Sequence, residues 1–272
     1  MKVTSMNLPE RVLCFFSRNP VDEDYIEGQG IEHTLDNALN TLTDVYPRFL
    51  AVIQGKDILD FGCGHGYQVV AMAMKGAKHA VGIDIRERLL ETGKRRAIEA
   101  GVTHKVSFCS TTEQISPQTF DIVISQNSME HFVNPGAILE TMKCFLKSKG
   151  TLMITFGPPW YSPRGSHTHY FTKLPWVNIL FSEKTVMHVR SLYRKDAATR
   201  YEEIEGGLAK MSVGRFEALL NQHNLEEIYR QDDCVKNMNI LGKIPFIREL
   251  FINRITCALR FKDASIDKLS KH

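Results

Sequence analysis

The sequence predicts an α/β fold: a doubly wound, seven-stranded and mostly parallel sheet, with a helical cap inserted late in the chain. Three observations predict it. Short apolar, β-rich runs alternate with amphipathic helical stretches from residue 56 to residue 156, the pattern of a parallel sheet covered on both faces. Two more β-rich runs near the C-terminus read as closing strands of an antiparallel edge. Directly after the fifth run, "GPPWYSPRGSHTHYFTKLPW" (157–176) interrupts the alternation with Pro, Gly, aromatics and His, a composition that favours irregular structure.

In chain order, "IEHTLDNALNTLTDVYPRFLAVI" (31–53) places Leu35, Leu39, Leu42, Val45 and Phe49 at helical spacing, which predicts a helix against the sheet or over its ligand edge. The strands follow at "KDILDF" (56–61), "HAVGIDI" (79–85), "KVSFC" (105–109), "FDIVIS" (120–125) and "GTLMITF" (150–156), with helices at 66–75, 86–100 and 135–147. Residues 177–210 read as mostly helical with weak patterning. "SVGRFEALLNQHN" (212–224) predicts a helix, and "LEEIYRQDD" and "ITCALRFK" (255–262) the closing strands. The expected organisation is an N-terminal helical cap segment (1–50), a ligand-binding core (51–157), a substrate cap insertion (158–210) and the C-terminal part of the core sheet (211–272). Open α/β sheets bind ligands beyond the carboxyl ends of their strands. The insertion leaves from one such end, so it and residues 1–50 are expected to shape an acceptor pocket. "IPFIRELFINRITCALRF" (244–261) is expected to pack into the core as a final helix or loop and strand, not to form a membrane surface.

Composition narrows the class. At 272 residues, with 43% hydrophobic and 24% charged side chains, the chain suits one large soluble domain with a cap. No apolar run approaches the roughly 18 residues of a membrane span, and the first thirty residues lack a secretory h-region, so the cytoplasm is the expected compartment. Six scattered cysteines contain no C-x-x-C pair, as expected of reduced, packed thiols. A net charge of +3 is too small to argue for nucleic acid by itself, and no nucleic-acid partner is expected; Lys94, Arg95 and Arg96 read as a solvated helix face. The oligomeric state stays open.

The strongest local signal is "LDFGCGHGYQ" (59–68), with Gly62, Gly64 and Gly66 behind a strand that ends in Asp60. A dinucleotide fingerprint needs its third glycine where Tyr67 stands, and a P-loop needs the absent Gly-Lys-Ser/Thr. The Asp-x-Gly-x-Gly-x-Gly pattern resembles motif I of the class I S-adenosylmethionine-dependent methyltransferase family, small-molecule branch. That cofactor carries an ammonium and a sulfonium and no pyrophosphate, so a carboxylate beside the turn attracts it. The resemblance implies a Rossmann-like methyltransferase fold and further cofactor contacts: Asp84, 22 positions beyond Gly62, for the ribose hydroxyls; Thr112 or Glu113 after the third strand near the adenine; and Gln126 in "FDIVISQNSMEHFVNPGAIL" (120–139), which resembles the strand-four motif and helix entry.

Methyl transfer to a hydroxyl needs a base. The amine-directed Asn/Asp-Pro-Pro-Tyr/Phe ending is missing, and "MEHFVNP" resembles the small-molecule branch, which makes His131 a candidate base because histidine titrates near neutrality; a helix-start role bonded to backbone is the alternative. In the insertion, His167 leads as candidate base, followed by His131 and then His169, while Tyr161 and Arg164 are candidate acceptor contacts. An H-x-H pair supplies only two metal ligands, and no metal is expected. The cap aromatics suit a polar ring acceptor or simply pack, and packing is preferred for Trp176. The cap segment also resembles that of bacterial methyltransferases of glycan or secondary-metabolite pathways. The expected function is therefore methyl transfer from S-adenosyl-L-methionine to a hydroxyl of a small molecule such as a sugar or secondary metabolite. Phenolic or quinone O-methylation, RNA or protein methylation, and a non-catalytic cofactor-binding module are the alternatives.

Overall fold

The computed structural model describes residues 6–18, 34–204 and 207–262. Helix α1 (Leu8–Phe15) opens on a capping box between Asn7 and Glu10, with Pro9 in its first turn. The expected helix over 31–53 is instead two short ones, α2 (Asn40–Val45) and α3 (Phe49–Val52), and its first residues, 31–33, lie outside those described. Pro47 is the reason: it lacks an N–H and pushes the preceding residue out of the helical region, and Tyr46 is accordingly extended (φ −113°, ψ 110°).

The sheet and its crossovers then follow in alternation: β1 (Asp57–Phe61), α4 (Tyr67–Met74), β2 (His79–Ile83), α5 (Glu87–Glu99), β3 (Val106–Cys109), β4 (Phe120–Gln126), α6 (Pro135–Phe145) and β5 (Leu146–Phe156). Among the described residues of 177–210 only α7 (Val177–Leu180) and α8 (Glu183–Arg190) are α-helical, less than the sequence suggested. Helix α9 (Val213–Gln222) precedes β6 (Leu225–Cys234) and β7 (Ile252–Phe261).

All seven strands form one sheet in the order β3-β2-β1-β4-β5-β7-β6. The first five pair in parallel, and β7 runs antiparallel to both β5 and β6. Order reverses between β1 and β4, so the carboxyl ends of these two strands flank the switch point where doubly wound sheets bind ligands. One apolar cluster fills the face covered by α6 and α9 (Leu139, Met142, Phe216, Leu220). A second fills the face covered by α2 to α5 (Leu42, Phe49, Val70, Ala97). The Tyr46 hydroxyl ties the α2–α3 segment to the buried strands by donating to the carbonyls of Ile154 or Cys257, each at 3.0 Å, and lies 3.2 Å from Thr155 Oγ1.

A third apolar cluster lies outside the sheet and joins α1 (Leu13) to the inserted segment through Phe171, Val177, Val186, Met187 and Tyr201. The described residues of the 1–50 segment are thus divided. Helix α1 docks on α8, while residues 38–53 pack on the sheet. The hydrophobic stripe at 35–49 was legible because it faces one flat surface; the docking of α1 depended on a partner more than 150 positions away.

Candidate cofactor and acceptor site

The glycine turn leaves β1 at Asp60 and Phe61 and enters α4. Gly62 N and Cys63 N both donate to the carbonyl of Ile83 at the end of β2, at 2.9 and 3.0 Å, which binds the turn to the neighbouring strand. Gly62, Gly64 and Gly66 all hold positive φ (85°, 53° and 71°), a region that costs a side-chain-bearing residue about 1–2 kcal/mol. At Gly62 a β-carbon would stand 2.7 Å from Ser128 Oγ, and at Gly66 one would stand 2.6 Å from the Phe108 ring. At Gly64 it would meet nothing within 4 Å, so this backbone faces open space.

Two carboxylates converge on the turn. Asp84 accepts from Gly64 N (2.9 Å) and from Arg86 through its backbone N, Nε and Nη2 (3.0, 3.0 and 3.2 Å). Burial pushes the Asp84 carboxyl up, but the Arg86 and Gly64 hydrogen bonds outweigh it and hold the group below its usual range. Asp60 has no such compensation. It is buried, its Oδ2 has no partner among the described residues, and burial followed by the charge of Asp84 raises it to about 7. An unpaired buried carboxylate beside a second one is a site for positive charge.

These features fit S-adenosylmethionine, the group that this fold family implies. A cationic methionine portion would offset Asp60, the β-carbon-free turn would admit it closely, and the remaining acceptor capacity of Asp84 would face the ribose hydroxyls. Gln126 is fixed by a short hydrogen bond from Gln68 Nε2 in the first turn of α4, so the end of β4 is tied to the glycine turn. Thr112 and Glu113 sit on an exposed 3-10 turn after β3. A groove of about 520 Å³ there is lined by Glu87, Phe108, Ser110 and Gln114, not by Thr112 or Glu113, because the turn directs Gln114 back toward the strand.

The run after β4 carries the site onward. Ser128 touches the place a side chain at Gly62 would take, and three residues later His131 lines a separate cavity of about 540 Å³. Gly157, Arg164, His167, His169 and Asn253 line the same cavity. The His131 and His167 rings meet edge-on, with centroids 5.5 Å apart. His131 Nδ1 donates to the Gly207 carbonyl at 2.9 Å. His167 is hydrogen-bonded to the backbone of Pro158, and its enclosed Nε2 has no partner among the described residues. Burial, then the charges of His131 and His169, lowers His167 to about 4.

Sequence reasoning thus placed all three histidines and Arg164 around one cavity. Tyr161 is the exception: it is exposed and lines no part of the cavity, because the tight turn at 160–165 aims it at solvent. Among the described residues no group of three or more His, Cys, Asp or Glu is arranged to hold a metal ion. Two further residues stand at this site: the sequence offers Glu130 only as a conditional oxygen ligand for a metal, and it does not mark Asn253. Glu130 is buried beside the cavity-lining Gly157, with Oε1 accepting from Gly157 N at 3.3 Å and Oε2 without a partner among the described residues; burial raises its carboxyl. Its adjacency to His131 in "MEHF" is the signal for a place at this cavity rather than on a metal. Asn253 arrives from β7, almost a hundred positions from Gly157, and no local pattern marks it.

Residues 54–158 match a family model described as a methyltransferase domain. They thus form a methyltransferase domain, as the glycine turn implies. A curated relative, the ubiquinone biosynthesis O-methyltransferase of Neisseria meningitidis serogroup C, is 31% identical over 152 residues, or 55% of this chain. The protein of that name from Paracidovorax citrulli is 35% identical over 105 residues, or 37% of this chain. The chain spans 63% of the length of the first and 43% of the second. Among solved structures, an S-adenosylmethionine-dependent methyltransferase from Mesorhizobium loti is similar in fold, with a TM-score of 0.55 at 16% identity over 84% of this chain and all of its own. A putative one from Listeria monocytogenes gives 0.56 at 17% identity over 85% of this chain and all of its own. Both likenesses concern the fold, and the family match to residues 54–158 falls on β1 to β5 and the glycine turn.

Proposed function

We propose that this chain transfers a methyl group from S-adenosylmethionine to a hydroxyl of a small molecule, with the acceptor held under residues 158–210. The observation that carries this reading is the single loop from Ser128 to His131, which joins the acid-lined glycine turn to a histidine-lined cavity. In this reading Asp60, Gly62, Gly64, Gly66 and Asp84 hold the cofactor, which supplies an electrophilic methyl when bound. The name of the curated relatives supports a quinone-type ring hydroxyl ahead of the sugar-like acceptor that the cap composition suggested.

The histidines divide the proton work. His131 donates through Nδ1 to Gly207, which leaves Nε2 as its lone-pair nitrogen, and the buried Glu130 carboxyl lies beside it. His167, held neutral at about 4, is a weak base whose Nε2 is enclosed. A base lowered so far below the operating pH is a poor proton acceptor, so His167 becomes the neutral wall, and His131, whose Nε2 is left with its lone pair by the Gly207 bond, takes first place. The order expected from sequence, His167 before His131, is reversed because burial weakens His167. Arg164, at the mouth of the same cavity, is the candidate contact for an anionic group on the acceptor.

The test is single-turnover transfer of a labelled methyl group to a panel of phenols, catechols and sugars. Replacing His131 with Ala should slow transfer by about 10²- to 10⁴-fold with cofactor affinity retained, and His167→Ala should cost less. Wild-type rates in the His131 variant would remove it from the proton path. Absence of S-adenosylmethionine binding by the folded protein would overturn the whole reading.

A further inference from the structure

The connection between β6 and β7 emerges at the carboxyl end of β5, since Cys234 pairs with Ile252 and Ile255 with Phe156. It therefore lies on the ligand edge of the sheet, and Asn253, just past its return, lines the acceptor cavity. Residues 235–251 form a series of 3-10 turns, not a tight hairpin, and they hold apolar side chains outward. Phe246 is 99% exposed and Ile240 80%, with Met238 and Ile244 also exposed. The expectation that residues from 244 onward pack into the core therefore holds for β7 and fails for 244–246.

A second segment extends this patch. Trp176, at the start of α7, donates Nε1 to the Leu250 carbonyl at 3.3 Å and meets the Phe251 ring edge-on. On the short helix it opens, Ile179 and Leu180 are 47% and 60% exposed. Isolated exposed apolar residues are ordinary, but a group of this size on one edge marks an interaction surface.

Charge selects the partner. From Val235 to Ile247 the charged side chains are Lys236 and Lys243, both exposed, with no acid among them. The first acid, Glu249, is turned inward and accepts from Val213 N and Gly214 N at 3.2 and 3.1 Å, while Arg248 is paired with Glu217. A lysine-fringed face without carboxylates opposes its own copy across a two-fold axis. It complements an anionic lipid surface, where apolar side chains enter the headgroup boundary and lysines meet the lipid charge. Among the described residues no helix is long and apolar enough to cross a membrane.

We propose that the 236–247 loop and α7 together form a docking surface for an anionic bilayer, with the acceptor cavity set beside the membrane. Docking is argued from exposure and charge alone; only its use, admitting an acceptor dissolved in the bilayer, rests on the catalytic reading above.

The experiment is flotation of the full chain with vesicles of phosphatidylglycerol and phosphatidylcholine in equal parts, and with phosphatidylcholine alone. The protein should float with the anionic vesicles and much less with the neutral ones. Changing both Phe246 and Ile240 to Ser should lower the affinity at least about tenfold, and each of Lys236→Gln and Lys243→Gln about fivefold. Phe246→Trp should give a blue-shifted emission on adding anionic vesicles. Near-UV circular dichroism identical to wild type shows that the variants are folded. Failure of the wild type to float, or equal flotation of the Phe246/Ile240 variant, overturns the proposal. So does a lipid-free dimer that this variant abolishes, which would assign the patch to a second copy. Neither cofactor nor acceptor enters the assay, so its outcome is independent of whether methyl transfer is found.

Discussion

Replacing Asp60 with Asn should make the ligand-free protein more stable and, at the same time, weaken its hold on a cationic cofactor. Asp60 is 2% exposed, one of its oxygens has no partner among the described residues, and burial with the nearby Asp84 charge raises its carboxyl from 3.8 to about 7. At about 1.36 kcal/mol per pH unit, ionising it in the fold costs on the order of 4 kcal/mol above pH 7. The amide removes that cost but introduces N–H donors that need partners, a penalty of about 1–3 kcal/mol. The net gain is about 1–3 kcal/mol, with about 2–4 °C of Tm for each kcal/mol in a chain of this size. The sign has a pH signature. Between about pH 4 and 7 the folded protein binds a proton that the unfolded chain has released, so wild-type stability falls as pH rises through this window. The advantage of the variant should be fully developed at pH 8 and reverse near pH 4, where Asp60 is neutral and only the amide's penalty of about 1–3 kcal/mol remains. Differential scanning calorimetry of both proteins at several pH values measures it, and added S-adenosylmethionine should raise the Tm of the wild type far more than that of the variant. A variant less stable than wild type at pH 8, or one with the same gain at both ends of the range, would refute the claim that Asp60 is an uncompensated buried charge.

Other substitutions probe neighbouring parts of the structure. Gly66→Ala combines a positive φ with a β-carbon 2.6 Å from the Phe108 ring and should lose about 2–5 kcal/mol in urea unfolding; Gly64→Ala meets no atom within 4 Å and should lose only the conformational part, about 1–2 kcal/mol. Tyr46→Phe strips a buried hydroxyl from the Ile154 and Cys257 carbonyls, and a loss of about 1–3 kcal/mol with cofactor affinity unchanged is expected in paired melting and titration experiments. Because His167 sits at about 4, it stays neutral from about pH 5.5 upward, so His167→Ala should leave the shape of the pH–rate profile unchanged from there to pH 8.

The core of this protein was legible in its sequence because its signals are local. A strand buried on both faces is written as a continuous apolar run, and its crossover helix as a period of three to four, so β1 to β5 and α4 to α6 fall close to their expected places. Glycines at 62, 64 and 66 are required by backbone conformations that only a few residues enforce, and Asp60 and Asp84 end consecutive strands; both facts are visible in a short window. The rest was decided by contacts between distant segments. Pro47 broke a helix whose hydrophobic stripe remained intact, and α1 found its partner in α8 only through Leu13 and the cap cluster. The sequence marked His167 and His131 as bases, but the loss of basicity at His167 depends on burial under a cap that closes far along the chain. The outward face of Phe246 follows the same logic: an apolar residue in a sequence states a preference for leaving water, and only the packed structure determines whether any core is within its reach.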